Sequence, residues 1–205
     1  MALEFRSNGK NEIFFVDGAE NILNDVHFDA LTSASAHFLK CFNIEHEVDV
    51  YISKRSELES LVARTHAYHI PPSFTRENSI VCVFLDPKCS LKEMIVSLAH
   101  EMIHVWQVER GDFRGHLWKG QDLRSIPYEM RPWELEAFGN MESVASWFFE
   151  DKLPNHDTLD SIRQRTDEAF NALVAEIKSS NIKRKLANAA KIAGAIGLGA
   201  LTGLG

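Results

Sequence analysis

The stretch Ser97-Leu-Ala-His-Glu-Met-Ile-His-Val-Trp-Gln107 carries two histidines four positions apart, with a glutamate directly after the first. On a helix, at about 100° per residue, His100 and His104 stack one turn apart, and Glu93, Ser97 and Gln107 fall close to the same ridge. Leu91, Met94, Leu98, Met102 and Val105 fall on the opposite side. Such a ridge lets two imidazole nitrogens reach one Zn2+ at about 2.0–2.1 Å. Glu101 lies about 100° round from His100, an offset that suits a group taking a proton from metal-bound water without ligating the metal. The competing reading is a solvated helix face on which two histidines happen to fall, and a third ligand separates the two readings.

Three candidates follow downstream: His116 in "RGHLWKG", and Glu134 and Glu136 in "RPWELEAFGN". With Glu134 at zero on its own helix, Ala137, Phe138, Met141, Ala145, Phe148 and Phe149 lie within about 60° of it. Glu134 is therefore expected to face the core, where a carboxylate must take a proton or find a cation. Glu136 points the other way, among Asn140, Ser143 and Trp147, and reads as an exposed surface charge. With a different helix phase it would become the ligand, with Asn140 as its partner. His116, on a loop, is the remaining rival. The other histidines, His27, His37, His46, His66, His69 and His156, show no pairing and read as ordinary polar residues.

These residues need elements to position them. Apolar spacing predicts a helix over 26–42, and alternation predicts a half-buried strand over 47–53. Residues 57–66 read as a short helix and 70–74, with paired prolines, as a breaker. A β-branched and aromatic run over 79–87 predicts a buried strand. A helix over 91–110 carries the histidines, with Gly111 as its left-handed cap. "HLWKGQDL" reads as strand-turn-strand. Pro132 opens a helix to residue 150, and another amphipathic helix covers about 157–178. The domain is assigned to 1–185, followed by an Ala/Gly-rich tail, 186–205, whose glycines, Asn188 and Lys191 make it a poor transmembrane span.

Composition bounds the rest. A chain of 205 residues with 45% hydrophobic residues, 13 Phe and 4 Trp can bury a substantial core. Its 29 acidic against 22 basic residues give a net charge of −7 with no basic stripe, so nucleic acid is not an expected partner. Cys41, Cys82 and Cys89 share no C-x-x-C spacing, which argues against a disulfide framework or a cysteine zinc ribbon. Charges within "MALEFRSNGKNEIFF" do not fit a secretion signal, and the expected compartment is the cytoplasm.

"HEMIHVWQ" followed by "RPWELEAFG" resembles the small gluzincin metallopeptidases, in particular single-domain zinc peptidases of bacteria and bacteriophages, over roughly residues 79–150. The resemblance implies an α+β zincin-like fold with Zn2+ held by His100, His104 and Glu134, and Glu101 as base. It departs at Phe138, where many gluzincins carry Asp or Asn. A second resemblance, to the SprT-like proteases, rests on "HEMIH" with a later Gly115-His116 and would make His116 the third ligand. The acidic charge balance and the core-facing Glu134 argue against it.

The expected function is zinc-dependent hydrolysis of a peptide or protein substrate. Tyr128, Arg131 and His116 are the candidates for a transition-state donor. If residues 79–86 form an edge strand, an extended substrate would add to it through main-chain hydrogen bonds. Two alternatives belong to other classes: a non-catalytic zinc-stabilised interaction module, and a membrane-active protein acting through its C-terminal tail.

Overall fold

The computed structural model describes residues 3–7, 11–15, 25–54, 67–70, 79–85, 89–114, 117–124, 126–172, 174–175 and 179. The readings of a helix over 57–66, of a breaker after residue 70, of His116 and of the tail 186–205 lie outside these residues. The chain divides into two compact units, Met1–Ile162 and Arg163–Gly205. In the second, residues 163–172 and 174–175 are helical. The first is α+β and holds every candidate described below.

Its larger sheet has five strands in the order β1-β2-β3-β5-β4: β1 (Leu3–Ser7), β2 (Asn11–Phe15), β3 (Val48–Lys54), β4 (Ala67–Ile70) and β5 (Ser79–Leu85). The outer pairs β1/β2 and β4/β5 are antiparallel, whereas β2/β3 and β3/β5 are parallel. Strand β5 is thus interior, and β4 ends the sheet beside it. The 79–86 run is therefore not the free edge, since β5 is paired with β3 on one side and β4 on the other. Register pairs Val50 with Val81 and Ile52 with Val83, and Val48, Val50, Val81 and Val83 are buried.

Helix α1 (Asp25–Cys41) sends Leu31, Ala34, Phe38 and Leu39 into the same core. Helix α2 (Leu91–Glu109) packs against α1, β4 and β5. Its start is fixed by a capping box: Ser90 Oγ accepts from the Glu93 N–H, and Glu93 accepts from the Ser90 N–H at 2.7 Å. Its end is fixed by Gly111 at φ +76°, a conformation costly for a residue with a Cβ. The hairpin after it runs through β6 (Phe113–Arg114), β7 (Leu117–Trp118) and β8 (Gln121–Asp122), turning at Lys119-Gly120 with φ positive at both positions. A 3-10 turn, Tyr128–Met130, leads into α3 (Pro132–Phe149), which lies along α2.

Two histidines read as ordinary have partners. His46 Nδ1 contacts Glu109 near the end of α2, and its Nε2 lies 2.9 Å from Ser79 Oγ at the start of β5. Ser79 is fully buried, so no substrate reaches its hydroxyl, and the trio joins helix to sheet. His37 Nε2 meets the Lys152 carbonyl at 3.1 Å. Cys41 and Cys89 are free thiols, and burial pushes the Cys41 thiol up to about 12. Among the described residues, no helix is long and apolar enough to cross a membrane.

Candidate metal centre

From Leu98 to Gln107 helix α2 is buried on every side, because α1 and the sheet cover its apolar face and α3 packs along it as well. His100, Glu101, His104 and Gln107 are all buried, the last at 0% exposure, so the solvated-face reading of this ridge is excluded. The two Nε2 atoms face each other across 3.2 Å. From α3, Glu134 sets Oε2 at 3.5 Å from His100 Nε2 and Oε1 at 3.6 Å from His104 Nε2. Glu101 approaches His100 Nε2 less closely, at 4.0 Å. The structure thus brings His100, His104 and Glu134 together, with Glu101 beside them.

No protein-family model, curated protein or solved structure matches the chain.

The geometry therefore carries the chemistry. Burial alone would raise the Glu134 carboxyl, but the imidazoles of His100 and His104 outweigh it and hold the group at about 2. Burial lowers His104, yet Glu134 and Glu101 beside it raise the imidazole overall. Burial dominates at Glu101 and raises that carboxyl despite the neighbouring histidines. His100, Glu101 and His104 offer ligand atoms within 4.8 Å of one another, a buried group able to hold a metal ion. The 3.5 and 3.6 Å contacts are longer than ordinary N–H···O bonds, and Glu134 Oε2 is buried with no hydrogen-bond partner among the described residues. Buried imidazole and carboxylate atoms that converge at such spacings are what a cation can satisfy.

Glu136 is a correction. It is 1% exposed, although the helical wheel made it a surface charge. The buried arc of α3 spans about 220°, from Pro132, Glu136 and Trp147 through Trp133, Val144 and Ala137 to Glu134 and Ala145. Glu134 and Glu136 stand toward its two margins. Phe138 and Phe149, placed with the core by the same wheel, are 53% and 50% exposed. The wheel assumes one covered face, whereas α2 and the hairpin aromatics Phe113 and Trp118, which pack on Trp133, enclose the first turn of α3 from more than one side. Asn140 donates to the Glu136 backbone carbonyl rather than to its carboxylate.

The supports of the two imidazoles were not evident from spacing. His104 Nδ1 lies 2.8 Å from Gln107 Oε1, and the Gln107 amide nitrogen reaches the Trp133 carbonyl at 2.9 Å and Glu136 Oε2 at 2.8 Å. Arg110 contacts that same Glu136 oxygen, donates to Asp112 at 2.6 Å and stacks on the Trp106 ring. Phe138, at the position that departs from the gluzincin pattern, lies with its ring centroid 4.5 Å from that of His100. His100 is thus held by packing, and His104 by hydrogen bonds.

Of the three candidate donors, Tyr128 lies closest to the site: burial first, and then the Glu134 carboxylate, push its phenol above the usual range. Arg131 donates to the Ile126 carbonyl at 3.1 Å, and its guanidinium lies over the Tyr128 ring at 5.5 Å. It braces Tyr128 and does not face the imidazoles.

Proposed function

We propose that the protein is a zinc-dependent peptide hydrolase of zincin-like fold, with His100, His104 and Glu134 as metal ligands and Glu101 as general base. One observation carries the reading: three donor contacts of 3.2, 3.5 and 3.6 Å among buried Nε2, Nε2 and carboxylate atoms. Ligand atoms at about 2.0–2.1 Å in tetrahedral array stand about 3.4 Å apart, and the spacings here, between the two Nε2 atoms and from each to its own Glu134 oxygen, are close to that value. Two histidines with one carboxylate are also the donor set of hydrolytic zinc sites.

Bound there, zinc would supply Lewis acidity to a water and to a substrate carbonyl. Glu101, raised by burial, is suited to accept the proton of the attacking water and to return it to the leaving amine. Tyr128 stays protonated and half exposed, so its hydroxyl can donate to the oxygen that gains charge in the transition state. Phe138, exposed beside His100, offers an apolar contact to the substrate. Strand β4 ends the sheet next to α2 and is the edge to which an extended peptide would add, in place of the 79–86 run.

Glu101→Gln tests the reading against a purely structural metal site. The variant is expected to keep one zinc per chain by elemental analysis and to lose peptide hydrolysis by at least about a hundredfold. Full activity in that variant would refute the mechanism.

A further inference from the structure

The orientation of the Gln107 amide can be deduced from what surrounds it. Its two outer contacts, the Trp133 carbonyl and the Glu136 carboxylate, are atoms that accept hydrogen bonds. The atom facing both must be the NH2 group, which donates once to each. The third contact, on His104 Nδ1, is then the amide oxygen, which can only accept. So Nδ1 of His104 carries a proton, and in the neutral ring Nε2 keeps its lone pair. That lone pair faces His100 and Glu134.

We infer that Gln107 is a positioning residue that fixes His104 as its Nδ1–H tautomer and aims Nε2 into the centre, with Glu136 and Arg110 locking the amide against a flip. The lock is buried: Gln107 is 0% and Glu136 1% exposed, and Arg110 is itself held by Asp112 and the Trp106 ring. A glutamine free to rotate would present NH2 to Nδ1 as readily as oxygen and would select neither tautomer. The consequence for metal affinity rests on the zinc reading above, but the tautomer does not. A hydrogen-bond partner on the far nitrogen of a ligating histidine is generally associated with about 10–100-fold in metal affinity.

Two measurements separate these claims. Long-range proton–nitrogen NMR of the metal-free wild-type protein, at a pH alkaline enough to leave the imidazoles neutral, is expected to place the His104 proton on Nδ1. A proton on Nε2 overturns the inference, whatever the protein does with zinc. In Gln107→Leu, the tautomers are expected to mix, and zinc affinity by chelator competition is expected to fall about 10–100-fold. A Gln107→Leu protein with the wild-type tautomer and wild-type affinity overturns it as well. Wild-type protein that binds no zinc while holding Nδ1–H would defeat the metal reading alone.

Discussion

The Nε2 atoms of His100 and His104 stand 3.2 Å apart, each with one oxygen of Glu134 against it from the neighbouring helix. Unaided, this arrangement crowds two imidazoles and a carboxylate, all buried, into one space. With a divalent ion between them, the same atoms would become complementary.

Zinc should bind one per chain and stabilise the fold. At a concentration a thousandfold above Kd, the stabilisation is about 4 kcal/mol, which for a protein of this length raises Tm by about 10 °C. His104→Ala and Glu134→Ala should lose both the bound metal and the zinc-dependent shift in a thermal melt. A melt that ignores zinc in the wild type would contradict the assignment.

In the metal-free protein, Glu134 and His104 together should add a contribution to stability that is bell-shaped in pH. The folded carboxyl at about 2 lies below its ordinary 4.5, so its contribution is complete above that ordinary value and disappears as pH falls toward 2. The imidazole is raised above 6.5, so its contribution is complete below that value and disappears as pH climbs through the raised one. The pair therefore contributes in full between pH 4.5 and 6.5. Urea unfolding across pH should show Glu134→Gln flattening both flanks, with a loss of about 3 kcal/mol at most in that window.

Glu136→Ala is expected to destabilise by about 2–3 kcal/mol, because it leaves Arg110 with Asp112 as its remaining carboxylate partner and frees the buried Gln107 amide. Lys152→Ala, which breaks an exposed pair with Glu150, should cost under about 1 kcal/mol. Chemical denaturation compares them directly. Equal effects would mean that the buried network adds nothing.

Tyr128→Phe should retain zinc and fold, since the side chain is half exposed, while kcat falls about 10²–10³-fold with KM nearly unchanged. An effect on KM alone would place Tyr128 in substrate binding only.

Sequence periodicity sufficed for the helix that carries the histidines, its glycine stop, the Pro132 start and the inward face of Glu134, since each depends on residues within one or two turns. Strands β3 and β5 were legible too, the first by its alternation and the second as a β-branched and aromatic run. By contrast, β1, β2 and β4 went unread: they are short, and only pairing with distant segments makes them strands.

What the chain by itself determined is the composition of the centre: two imidazoles and an offset carboxylate on one helix, and an acidic residue turned inward on the next. Tertiary packing decided the rest. It buried the polar ridge, and it put Glu136 inside, where the helical wheel had it in water, because α3 is covered over half its circumference. It also joined His46 to Glu109 and Ser79, and turned the Gln107 amide by giving it two acceptors on α3. Local spacing fixes the direction in which a side chain leaves its own helix, but its partners come from elsewhere in the chain, and burial and hydrogen-bond polarity depend on those partners.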